Sequence, residues 1–140
     1  MIPIILALAG LRIVTPFAWA PCHTSDPNRW AVCQHVAAEA RRQGVSERLA
    51  VALSWHESRW TDARSPHGAV GPMQVMPQFL CPRGRMEGCD TVAVGVGYLG
   101  TLTRRLGVAE GLCRYNAGNK CDRASRGFAR AVMATARVSP

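Results

Sequence analysis

Six cysteines, Cys22, Cys33, Cys81, Cys89, Cys113 and Cys121, constrain what this 140-residue chain can fold into more than any other feature. All lie downstream of an apolar run through Ile4, Ile5, Leu6 and Leu8 that closes on Ala18-Trp19-Ala20, a small-x-small cleavage signature. No Lys or Arg precedes that run and Arg12 interrupts it, so an uncleaved anchor is the rival reading. An arginine near the middle of a spanning helix is costly, which favours cleavage after Ala20. The expected division is a signal peptide over residues 1–20 and one domain over 21–140. An even cysteine count in a small exported chain reads as disulfides rather than reactive thiols. Zinc fits poorly, because there is no Cys-x-x-Cys pair and His23, His35, His56 and His67 are scattered. Six cysteines permit fifteen pairings. Sequence proximity favours Cys81–Cys89 and Cys113–Cys121, which leaves Cys22–Cys33.

The helices announce themselves by their ends. Asp26-Pro27 reads as an N-cap followed by proline in the first turn, and Trp30, Cys33, Val36/Ala37 and Ala40 recur at helical spacing up to Gly44, a C-terminal stop. Ser46 caps a second helix, with Val45 placed to staple against Ala50. Residues 58–72 lack periodicity and read as loop. Met73 to Leu80 reads as a short extended piece and a turn of helix, and residues 81–89 as a polar loop needing its staple. Asp90 caps a helix carrying Val92, Val96, Leu99, Leu102 and Leu106, stopped by Gly107. A short helix from about Ala109 leads into Tyr115-Asn116. A last one, roughly 124–136, is expected to bury Phe128, Ala131, Val132 and Thr135. With no convincing strand pattern and no repeat, the fold class is mainly α in a single domain with one modest core.

Leu49, Leu53 and Glu57 share one face of the second helix by their i, i+4, i+8 spacing, so the carboxyl extends the stripe that faces the core. Beyond it the chain turns polar and glycine-rich through Gly68, Gly71 and Pro72, where a cleft can form. Partial burial without a paired cation raises a carboxyl pKa and suits a general acid. Trp55 and Trp60 flank Glu57 in sequence and are expected to help keep it protonated. Few other acids are available for catalysis. Asp90 and Asp122 read as caps or turn residues, Glu87 lies in the stapled loop, Glu110 opens a helix, and Asp62 is the one candidate for a second carboxylate. A mechanism with a single carboxylate fits better. The net charge of +8, from 17 Lys and Arg against 9 Asp and Glu, favours polyanions in general. No recognition helix, zinc finger or aromatic RNA-binding motif accompanies it, so nucleic acid is not the expected partner.

Glu57-Ser58-x-Trp60, then Ser65-x-x-Gly68-Ala69-x-Gly71-x-Met73-Gln74-Val75-Met76-Pro77, resembles the catalytic region of the lytic transglycosylases. Their second signature, Ala-Tyr-Asn-Ala-Gly, is matched by Arg114-Tyr115-Asn116-Ala117-Gly118 about sixty residues on, and Gly95-Val96-Gly97-Tyr98-Leu99 is similar to a further family helix. The resemblance spans about residues 29–132. It departs from the family pattern at Pro72 for Leu, Trp60 for Phe and Arg114 for Ala.

The resemblance implies a lysozyme-like domain with a cleft, stapled here by disulfides, and cleavage of the MurNAc–GlcNAc β-1,4 bond of peptidoglycan without metal or cofactor. One Glu acts as acid and then base, and an intramolecular 1,6-anhydro product forms, with Glu57 in that role. By the same match Ser58 positions the Glu, Ser65, Met73 and Gln74 belong to the saccharide subsites, and Tyr115 and Asn116 close the other side. The tyrosine hydroxyl is expected within a hydrogen bond or a bridging water of Glu57, with Glu57, Gln74 and Tyr115 lining one concavity. A hydrolytic muramidase on the same fold and a non-catalytic wall-binding protein are the alternatives. The implied partners are peptidoglycan strands and a secretion or conjugation apparatus. The implied location is the periplasm or cell envelope, with secretion as the alternative and no stable membrane span after cleavage.

Overall fold

The computed structural model describes residues 22–138, so the expected signal peptide lies outside the described residues. Helix α1 spans Pro27–Gln43, and the Asp26 carboxylate accepts from the backbone N–H of Asn28 at 2.8 Å and of Arg29 at 3.3 Å. Gly44 ends it at φ 72, a left-handed backbone that glycine adopts without a Cβ penalty. Helix α2 spans Glu47–Ser58 behind Ser46, whose hydroxyl accepts from Leu49 N–H at 3.2 Å. A short α3, Pro77–Leu80, and a 3-10 turn at Pro82–Gly84 precede α4, Thr91–Leu106, which Asp90 caps. Helices α5, Val108–Ala117, and α6, Arg123–Ala136, complete the order, the latter capped by Asp122. Among the described residues β-structure is limited to isolated bridges at Arg64–Val70 and Val70–Val75.

The helices close a ring. α1 packs on α2, α2 on α6, α6 on α5, α5 on α4, and α4 back on α1. Leu53, Val36, Val96, Leu99, Leu112 and Val132 are buried inside it. Two glycines of α4 allow the close approach. A Cβ at Gly95 would stand 2.5 Å from Met73 Cβ, and one at Gly100 would stand 2.7 Å from Val45 Cγ2. Val45 therefore packs towards α4.

Three details differ from expectation. Trp30 is half exposed, although it falls near the buried stripe of α1. Helix α6 buries Ser125, Ala129, Val132, Met133 and Ala136, while Ala131 and Thr135 face solvent and Phe128 is partly covered. Tyr115 and Asn116 occupy the last turn of α5 rather than a loop beyond it.

The disulfides pair as proximity suggested, Cys22–Cys33, Cys81–Cys89 and Cys113–Cys121, with Cα separations of 5.7, 5.5 and 5.6 Å. They fix the N-terminal segment to α1, close the polar 81–89 loop, and tie α5 to the turn before α6. Among the described residues no cysteine is free, and no helix is long and apolar enough to cross a membrane. Such cross-links persist in oxidising compartments, which agrees with an extracytoplasmic protein.

Candidate active site

Glu57 sits in the last turn of α2, half-buried. The helix ends there because Arg59 turns left-handed at φ 58, and Trp60 follows at φ 59. Neither is glycine, so the turn carries backbone strain that the surrounding structure holds in place. Much of that hold comes from serines on α2. The hydroxyls of Ser54 and Ser58 both donate to the Pro72 carbonyl at 2.9 Å, and Ser58 Oγ accepts from Thr61 N–H at 3.2 Å. Ser58 is buried and bonded to backbone, so it reaches no substrate; it pins the 71–74 turn against the helix that carries Glu57.

The loop beyond Glu57 is knitted by its own residues. Ser65 Oγ accepts from the N–H groups of His67 and Ala69 at 3.2 and 3.0 Å. Val70 and Val75 exchange backbone hydrogen bonds at 2.9 and 3.0 Å. Gln74, held at φ 48, donates through Nε2 to the carbonyls of Ala63 and Gly71 at 2.9 and 3.0 Å. Ser65 and Gln74 thus shape the loop, and the amide nitrogen of Gln74 is committed to it.

Met73 departs from its expected place. Its side chain is fully buried against Gly95, so it does not line the groove as its subsite role required. What Met73 offers is its carbonyl, which accepts from the Tyr115 hydroxyl at 2.7 Å. That bond joins the two sequence motifs across 42 positions. It also corrects the expected Tyr115–Glu57 hydrogen bond, since the single phenolic proton is committed to Met73. Burial first, and then the charge of Glu57, push the Tyr115 phenol well above its ordinary value, which makes the two groups electrostatic neighbours. Glu57 itself is pushed up to about 8 by burial. Among the described residues it has no hydrogen bond or ion pair to offset that desolvation. Trp55 does not supply the burial as expected, because two residues on a helix lie about 200° apart. It packs on Trp60 with ring centroids 4.8 Å apart and Arg59 over its face, while Trp60 donates from its indole to Val51 O at 3.0 Å.

A groove of about 440 Å³ opens beside this cluster, lined by Gln74, Met76, Phe79, Tyr98, Tyr115 and Asn116 among others. Gln74 and Tyr115 share it as expected, but Glu57 is not among its lining residues, so the three do not all line one concavity; Glu57 is linked to the groove through its electrostatic effect on Tyr115. Asn116 is among the lining residues, and its Oδ1 accepts from Ser125 Oγ at 3.0 Å. Sequence reasoning assigned no groove role to Tyr98, whose ring lies 5.3 Å from that of Tyr115, or to Phe79, 75% exposed. An aromatic one residue before buried Leu99 on a capped helix was the available signal for Tyr98; Phe79 gave none. Asp62 is exposed on the loop, and Asp90 and Asp122 cap helices. Among the described residues no cluster of three or more His, Cys, Asp or Glu side chains could hold a metal.

Residues 34–132 match the model of a protein family described as the transglycosylase SLT domain. No curated protein and no solved structure gives a significant match to the chain.

Proposed function

The chain belongs to the transglycosylase SLT domain family, a lysozyme-like fold directed at peptidoglycan, and from that premise we propose that it is an exported lytic transglycosylase using Glu57 as its one acid and base. The observation that carries the reading is Glu57 itself, a carboxyl raised to about 8 by burial and an electrostatic neighbour of Tyr115, which lines a groove built from both motifs. At neutral pH it keeps its proton and is ready to give it up, as a general acid must be.

The reaction runs in two proton transfers. Glu57 gives its proton to the glycosidic oxygen between MurNAc and GlcNAc as the bond from that oxygen to C1 breaks. The substrate's acetamido group stabilises the cationic carbon. The 6-hydroxyl of the same sugar then bonds to C1, and its proton returns to Glu57, which restores the enzyme and leaves a 1,6-anhydro end. An internal hydroxyl outruns water because its effective concentration is far above that of solvent. Mass spectrometry of digested sacculi tests this. Anhydro-muropeptides are the expected products; reducing ends without anhydro products would overturn the reading in favour of a hydrolytic muramidase.

A further inference from the structure

Among the described residues lining the groove, Arg114 is the one charged side chain. It is gripped from one side. Nε donates to Glu110 Oε2 at 3.3 Å, one turn back on α5, while Glu110 Oε1 accepts from Arg126 Nη1 of α6 at 3.1 Å. The hydrogen bond from Arg126 holds the Glu110 carboxyl below its ordinary range, which favours its ionised form. One carboxylate shared by two guanidiniums leaves the cluster net positive. No described residue accepts from the terminal Nη atoms of Arg114, and its side chain keeps 37% exposure. As an exposed i, i+4 ion pair this contact adds little stability. Its effect is orientation, since anchoring Nε fixes the plane of a rigid fork whose paired terminal N–H groups match a carboxylate.

Resting on the transglycosylase reading, we propose that Arg114 is a specificity-determining residue that binds a carboxylate carried on the muramic acid residues of the strand in the groove. Two sources share that chemistry: the carboxyls of an attached stem peptide, and the lactyl carboxyl that is exposed once the peptide is removed. Tyr98, Tyr115 and Phe79 give the groove an aromatic, charge-free lining against sugar faces, so Arg114 is the one lining group able to read charge. Glycan recognition and carboxylate recognition are then separable.

The test is equilibrium binding to protein carrying Glu57→Gln, so that turnover does not consume the ligand. The ligands are soluble glycan oligomers with free stem-peptide carboxyls, the same oligomers with those carboxyls converted to amides, and oligomers stripped of peptide. A bidentate pair at this exposure predicts about tenfold weaker binding after amidation. Arg114→Ala should cost the same factor on free-carboxyl oligomers and abolish the amidation effect. An equal loss from Arg114→Ala on stripped oligomers identifies the lactyl carboxyl as a source; loss confined to peptide-bearing ones identifies the stem. Equal affinity of the Arg114 protein for free and amidated oligomers excludes the stem carboxyls, and equal affinity for stripped oligomers before and after amidation of their lactyl carboxyls excludes the lactyl group; both results together overturn the proposal without needing the variant to fold. So does an Arg114→Ala loss that is the same on both ligands, the mark of a structural role through Glu110. Binding without cleavage by the unsubstituted protein would instead overturn the transglycosylase reading and leave the carboxylate preference standing.

Discussion

Replacing Glu57 by Gln isolates what it costs this fold to ionise a buried carboxyl. Burial raises Glu57 from 4.5 to about 8. Below about pH 4.5 the group is protonated in both folded and unfolded chains and has no linkage effect. Between the two values the unfolded chain releases the proton while the folded one retains it, so stability falls as pH rises. Above about 8 both states are ionised and the loss is complete. A gap of roughly 3.5 pH units sets a ceiling of about 5 kcal/mol, and the partial exposure of Glu57 reduces this to about 2–4 kcal/mol. Glutamine keeps the shape and has no charge to expel. Urea unfolding of both proteins should therefore coincide near pH 4 and separate by about 1–3 M in midpoint near pH 8, with Glu57→Gln the more stable. Other titrations cancel in the difference. Glu39, Glu110 and Asp122, lowered chiefly by hydrogen bonds from Arg42, Arg126 and the Ser125 backbone, are present in both proteins. So is His56, which desolvation lowers. Parallel pH profiles for the two proteins would show that Glu57 ionises as an ordinary carboxyl and would refute the reasoning.

Two further substitutions probe the join between the motifs. Tyr115→Phe leaves the Met73 carbonyl without its donor and should cost about 1–3 kcal/mol in urea unfolding as well as lowering turnover. An unchanged midpoint would count against the hydrogen bond. Gly95→Ala places a methyl 2.5 Å from Met73 Cβ and 3.1 Å from Val75 Cγ1. Overpacking of about 2–3 kcal/mol exceeds the gain of about 1 kcal/mol from replacing a helical glycine, so thermal denaturation should show net destabilisation, and a rise in Tm would contradict the packing.

What the sequence made legible was whatever is local. Asp26, Ser46, Asp90, Gly44 and Gly107 mark helix ends through bonds made within a few residues, and each stands where its spacing put it. Cysteines eight or eleven positions apart pair for the same reason. Helix α6 carries a strong apolar stripe, but phasing it on Phe128 set it one residue off: the buried face runs through Ser125, Ala129, Val132, Met133 and Ala136, where α6 packs against α5 and α2. The left-handed backbone at Arg59, Trp60 and Gln74 left no trace, since residues other than glycine carry no signal for it. Met73 and Tyr115 are the instructive pair. Motif spacing brought them into one neighbourhood, yet which part of Met73 faces the groove depends on the gap left by Gly95, a contact of the folded chain alone.

The central claim, that Glu57 is the acid and base of a peptidoglycan lytic transglycosylase, is tested most directly by release of soluble fragments from purified sacculi near neutral pH, compared between the unsubstituted protein and folded Glu57→Gln. Loss of the one proton donor should lower the rate by about a hundredfold to ten-thousandfold. Clearance by Glu57→Gln at the rate of the unsubstituted protein would contradict the claim.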